Sequence, residues 1–178
     1  MTGDGGSGAR PVGNLLGIDL GERRIGLAVA EHGGLSARPL ATLNRAPSLA
    51  PADDARALAR IVAEQRIVGL VVGLPLEASG AEGPMARAAI AWAHAVAERL
   101  GLAVTLRDER LSSHLAESRL GSMPRGRSGG PPSRTQRDRY RERVDREAAA
   151  IILQDELDAR RDSRLRDPDR NEPGSSPG

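Results

Sequence analysis

Three acidic positions carry the strongest chemical signal in this sequence. Asp19 stands inside the apolar run "GIDLGERRIGLAVAE", the pair Asp108-Glu109 sits in "RDERLSS", and Asp145 opens "VDREAAAIILQDEL". Ala148, Ala149 and Ile152 follow Asp145 by three, four and seven residues. That spacing puts Asp145 on the apolar face of a helix, turned toward a sheet rather than toward solvent. An isolated ionised carboxylate on a buried face is costly, or it takes up a proton instead. Three converging carboxylates repel one another unless a divalent cation is present, and hard oxygen ligands suit Mg²⁺ or Mn²⁺. Two such ions, about 3.5–4 Å apart, perform phosphoryl transfer by activating water and stabilising the leaving oxygen. Each acid also has a simpler use. Asp19 can brace the turn at Gly21–Arg24, Glu109 can pair with Arg110, and Asp145 can pair with Arg141. Asp108 is the alternate for Glu109, because strand alternation lets only one of the two face Asp19.

The elements that must position these acids follow from hydrophobic pattern. Asn14 to Leu20 reads as a strand, Gly21 to Arg23 as a turn, and Ile25, Leu27 and Val29 alternate with small residues in a second, paired strand. "SARPLATLN" is a third strand, which Pro39 confines to an edge or an irregular position. Pro51 opens a helix with Asp53 and Asp54 in its first turn, and Leu58, Ile61, Val62 and Gln65 form its stripe. "RIVGLVVGLPL" has no alternation and suits a central strand covered on both faces. A helix then runs from Pro84 to a stop at Gly101, with Met85, Ala89, Trp92, Val96 and Leu100 as its buried stripe and His94 exposed. "LAVTLRDERL" is the last strand, Ser112 or Ser113 caps a short helix through about Leu120, and a final helix begins near Asp138. Three strands followed by alternating helices and strands predict an α/β protein with a mixed five-stranded sheet flanked by helices, the element order of the RNase H-like fold.

Composition narrows the class. The chain has 178 residues, which predicts one domain over 14–160 between disordered tails at 1–13 and 161–178. It has no cysteine, which excludes a disulfide framework and thiolate metal sites. No apolar run approaches the roughly 20 residues of a membrane span, and "MTGDGGSGARPVGN" contains no apolar signal region. A cytoplasmic protein without a membrane partner is the expectation. The 26 basic residues are all arginine, and the net charge is only +2, so charge placement says more than charge balance. The segment Arg125–Arg143 is strongly basic around a Gly-Gly-Pro-Pro centre. It reads either as a solvated loop or as a contact to a nucleic-acid backbone, where clustered arginines displace counterions.

Four segments, "GIDLGERRIGLAVAE", "VVGLPLEASGAEGP", "RDERLSS" and "VDREAAAIILQDEL", resemble in order and spacing the signature segments of the YqgF (RuvX) family, relatives of the RuvC resolvases within the RNase H-like superfamily. The resemblance spans roughly Leu15 to Leu157. It implies a nuclease that matures the end of precursor 16S ribosomal RNA. It also implies that Asp19, Glu109 and Asp145 are the catalytic, metal-binding acids, with Mg²⁺ or Mn²⁺ as cofactor. The chain departs from RuvC where those resolvases place an acid at the end of the central strand: Gly73 stands there, so the second carboxylate must come from the next strand. The loop after Pro75 reads Glu77-Ala78-Ser79-Gly80 where the family commonly has Asn-x-Asp-Gly, and Glu77 and Ser79 are assigned no role.

On this basis Arg23, Arg24, Arg125, Arg127, Arg134 and Arg137 are expected to contact nucleic-acid phosphate, with Ser112 and Ser113 as hydroxyl donors or as helix caps. Gly17 and Gly21 are expected to leave room for the metal and the substrate backbone. The leading expectation is a metal-dependent endonuclease that processes the 5′ end of precursor 16S rRNA, with precursor rRNA, branched DNA and ribosomal particles as partners and a monomer or weak homodimer as the assembly. The alternatives are a Holliday-junction resolvase and a catalytically silent RNA-binding or transcription-associated module. A phosphate-loop ATPase, suggested by "DLGERRIG", needs about twice this length.

Overall fold

The computed structural model describes residues 13–166, apart from 47, 49, 110, 111, 124 and 126–129. Strands β1 (Asn14–Leu20), β2 (Arg24–Ala30) and β3 (Arg38–Asn44) are followed by helix α1 (Pro51–Glu64) and strand β4 (Ile67–Leu74). Helix α2 (Pro84–Leu100), strand β5 (Ala103–Asp108), helix α3 (Ser112–Leu120) and helix α4 (Arg134–Arg166) complete the order. The sheet runs β3-β2-β1-β4-β5. β2 is antiparallel to both β1 and β3, while β4 is parallel to both β1 and β5. This mixed five-stranded sheet with helices on both faces is the RNase H-like α/β fold. Pro39 lies in the edge strand, where its missing N–H is best tolerated, and the β2–β3 ladder skips Leu40 beside it.

Alternation divides the sheet into two unlike faces. Leu16, Ile18, Ile25, Leu27, Val29, Leu70 and Val72 point to one side and pack with Leu58, Trp92 and Val96 from α1 and α2. The other side carries small residues, Gly17, Gly26, Ala28 and Ala30, and receives Ala149, Ile152 and Leu153 of α4. Small residues there let the α4 backbone approach the strands. A Cβ on Gly17 would sit 2.7 Å from both the Ala149 carbonyl oxygen and the Leu153 Cβ, and one on Gly26 would collide with the Asp145 carbonyl oxygen. Gly17 therefore makes room for α4, not for a metal or substrate. Gly21 closes the β1–β2 turn, its N–H donating to the Arg24 carbonyl at 2.9 Å.

Several sequence expectations are corrected at element ends. Helix α4 begins at Arg134, inside the segment read as a loop, and continues through Arg166, inside the segment read as a disordered tail. Its first turns cover little apolar surface, so hydrophobic periodicity could not report them. Met85 is 68% exposed and lies off the α2 stripe, which instead runs through Ala86, Ala89, Trp92, Ala93, Val96 and Ala97. His94 is exposed as expected. Asp53 and Asp54 are in the first turn of α1 as expected, and Asp54 is in addition only 3% exposed and accepts from Trp92 Nε1 at 2.8 Å. The loop after Pro75 folds on itself, Glu77 N–H donating to the Ala81 carbonyl at 3.0 Å and Ala81 N–H to Ser79 Oγ at 3.3 Å. Among the described residues, no helix is long and apolar enough to cross a membrane.

The close approach at Gly26 yields a sharp expectation. Its would-be methyl meets backbone, which cannot rotate away as a side chain does. Gly26→Ala should cost about 3 kcal/mol by overpacking. Thermal unfolding should then shift down by roughly 6–12 °C, readable by circular dichroism.

Candidate active site

The acids gather where the parallel strands end. Asp19 is the penultimate residue of β1, Gly73 the penultimate residue of β4, and Glu109 follows the last residue of β5. All three have the parity that faces α4, as do Gly17 and Arg107. β4 lies between β1 and β5, so Glu109 must reach across a strand to meet Asp19. Gly73 permits this. A Cβ there would overlap Glu109 Oε2 and sit 2.7 Å from Ile152 Cδ1. The carboxylate of Glu109 thus occupies the space that a side chain on the central strand would fill. Asp108, the alternate, is exposed and has the opposite parity.

The carboxyl groups of Asp19 and Glu109 are close enough to act on each other's ionisation, and burial favours the protonated form of each. Burial pushes Asp19 up to about 7, with the negative charge of Asp145 adding to the rise and the neighbouring Glu109 carboxyl opposing it. Glu109 is pushed up to about 8, first by burial, then by the charges of Asp19 and Asp108. The second oxygen of Glu109, Oε2, is buried without a hydrogen-bond partner. A buried, unpartnered carboxylate oxygen beside a second carboxylate is a site short of positive charge, and an all-oxygen donor set suits a hard divalent cation. The residues present therefore fit Mg²⁺ or Mn²⁺.

Asp145 reaches the same neighbourhood from α4, and its charge is felt at Asp19. Its carboxylate is bound by Arg24, Nε to Oδ2 at 2.5 Å, with both side chains 22% exposed. The simpler use weighed for Asp145, an ion pair, is thus made with Arg24 and not with Arg141. The expected cluster of three acids around one cation is not assembled among the described residues. Arg24 holds the third acid instead.

The flanking residues divide into those that reach solvent and those that do not. Gly21, Glu22, Arg23, Arg24, Arg141 and Asp145 line an open cleft of about 360 Å³. Arg141 was missed as a cleft residue. The signal was available, since Arg134, Arg137, Arg141 and Asp145 follow one another at spacings of three, four and four along one helix face. Arg125, Arg134 and Arg137 are exposed, and Arg137 also donates to the Pro132 carbonyl at 2.7 Å. Arg127 lies outside the described residues. Ser112 is buried and its hydroxyl donates to the Glu109 carbonyl at 2.9 Å, so it braces Glu109 and has no access to a phosphate. Ser113 is exposed.

Two outcomes follow from this geometry. Gly73→Ala should expel the Glu109 carboxylate and weaken Mn²⁺ binding by at least about 10-fold in calorimetric titration, on the scale of removing a supporting partner of a metal site. The second outcome concerns pH. The folded state binds the Asp19 and Glu109 protons more tightly than the unfolded chain, where carboxylates titrate near 4. The stability they contribute is complete below about pH 4 and is lost as pH rises through about 7 to 8. Without divalent cations the melting temperature should fall between about pH 5 and 8.5. Millimolar Mg²⁺ should restore it at the alkaline end and change little at the acid end, as scanning fluorimetry can read.

Residues 13–159 match the family RuvX, described as Holliday junction resolvase. A protein of Anaeromyxobacter sp. (strain K), named "Putative pre-16S rRNA nuclease", is 46% identical over 145 residues, covering 82% of this chain and 96% of that protein. A protein of the same name from Chloroflexus aggregans is 41% identical over 147 residues, covering 83% and 94%. Among solved structures, T. thermophilus RuvC in complex with a Holliday junction substrate aligns over 85% of this chain and 97% of its own, with 17% identity and a TM-score of 0.47. With the family match covering all five strands and the acid-bearing part of α4, the chain belongs to the RuvX family.

Proposed function

We propose that this protein is a metal-dependent endonuclease that processes the 5′ end of precursor 16S rRNA. The observation that carries the reading is the buried Asp19–Glu109 pair with its unpartnered oxygen, set at the carboxyl ends of the parallel strands. Membership of the RuvX family and the names of its relatives in Anaeromyxobacter and Chloroflexus support the substrate class.

Asp19 and Glu109, joined by Asp145, would hold Mg²⁺ or Mn²⁺, which supplies Lewis-acid activation of water and charge stabilisation at the leaving oxygen. Asp19 and Glu109, which burial holds toward their protonated forms, would ionise in this role and lose their protons to solvent. Arg24 releases Asp145 and turns its guanidinium to the substrate phosphate lying in the cleft. Arg23 and Arg141, on the same cleft, orient that phosphate from either side. The exposed stripe of Arg134 and Arg137 continues the positive track along α4 and holds the RNA backbone away from the cut. Contacts of this kind place the strand without reading its sequence, so selectivity comes from RNA shape.

The test is incubation of precursor 16S rRNA and a four-way DNA junction with the protein and Mn²⁺, with the product ends mapped. Cleavage of the RNA at the 5′ side is expected, and cutting confined to the junction would replace this reading with resolvase activity. Asp19→Asn should lower the cleavage rate by more than about 100-fold, beyond the 10–100-fold typical of removing an outer partner of a metal. Its melting temperature without cations should not fall, because the substitution removes a buried charge. A variant that unfolds would make Asp19 a structural residue.

A further inference from the structure

We infer that Arg45, anchored by Asp54, is a positioning residue that sets the β1–β2 turn and through it the phosphate contacts of Arg23 and Arg24. The inference rests on the reading that the cleft takes a nucleic-acid phosphate. Arg45 follows the end of β3, and its side chain is only 8% exposed. Its Nε and Nη2 both meet Asp54 Oδ2, at 3.0 and 2.8 Å. Its Nη1 donates to the Gly21 carbonyl at 3.1 Å, and its backbone N–H donates to the Arg23 carbonyl at 2.9 Å. One residue therefore grips both ends of the turn that carries the cleft arginines.

The anchor is itself fixed. Asp54 is on the first turn of α1, one turn before Leu58, and the same oxygen accepts from Trp92 Nε1 of α2. A planar guanidinium, with donors on several edges, can bind the carboxylate and the turn at once, whereas a lysine ammonium on a flexible stem cannot hold that fork. The helices on the far face of the sheet thereby reach the cleft through Arg45. The signal was present in the sequence, since Asp54 falls on the apolar stripe of its helix as Asp145 does on its own.

Buried as it is, Arg45 makes no phosphate contact of its own, and this gives a test that a merely structural role would not pass. Arg45→Lys keeps the charge. If Arg45 positions the turn, Arg23 and Arg24 in the variant no longer meet the phosphates. The slope of log K against log salt for binding precursor 16S rRNA, measured in Ca²⁺ to prevent cutting, should fall by about 0.7 for each phosphate no longer neutralised. Affinity at about 100 mM salt should fall at least about 5-fold. In the Arg23→Ala/Arg24→Ala background the same change should have no further effect on the slope. Asp54→Asn, which keeps the shape and releases Arg45, should reproduce the shallower slope and stands in should Arg45→Lys fail to fold. A folded variant with a lowered melting temperature and an unchanged slope would overturn the inference. Wild-type protein that binds the RNA without salt dependence would overturn the phosphate reading beneath it.

Discussion

Two carboxylates that would repel each other in water, Asp19 and Glu109, lie near each other at the open end of the parallel strands, where burial opposes their ionisation. The surrounding chain is arranged to permit this. Strand parity turns both toward α4, Gly73 leaves the intervening strand bare so that Glu109 can cross it, and Ser112 holds the Glu109 carbonyl. The Glu109 N–H donates to the Leu74 carbonyl at 3.2 Å, extending the β4–β5 ladder by one residue to carry the acid into place. The electrostatic cost of the pair is a deficit of positive charge in a buried space, and that deficit is what the proposed divalent cation would fill.

The two faces of the sheet do different work. The face toward α1 and α2 is built from branched and aromatic side chains and supplies most of the hydrophobic core. The face toward α4 trades that volume for closeness, with glycine and alanine where bulk would stand. Closeness is also what brings Asp145, carried on a helix, to where its charge is felt at Asp19. Glu156, buried on the same helix, is bound by Arg107 of β5 and by Arg160, so the far half of α4 is tied to the sheet by charge as well as by packing.

Much of this was legible in the sequence, and the reasons are particular. Alternation in β2, the unbroken apolar run of β4 and the acids set against both pointed to the strands, and Asp145 was found because it shared a helical face with Ala148, Ala149 and Ile152. Alternation lets only one of Asp108 and Glu109 face Asp19, the family resemblance points to Glu109, and the structure puts Glu109 against Asp19. What stayed hidden were contacts between side chains distant in sequence. Nothing local couples Arg24 to Asp145, Arg45 to Asp54, or Gly26 to the backbone of α4. The start of α4 was hidden for the opposite reason: its arginine-rich turns bury little, and periodicity speaks only where burial occurs.

At 33 residues, α4 is about 50 Å long, roughly twice the length of the seven-residue strand β1 beneath it. It rests on the sheet through main-chain contacts at Gly26 and Gly17, on adjacent strands. Two such notches index the helix as teeth index a rack. Sliding by one residue would swing every side chain by about 100° and drive a Cβ into a strand. The helix is therefore a fixed rail and not a moving part. The parts that can adapt to a ligand are those that no such contact holds, the arginine side chains along the first turns of the helix.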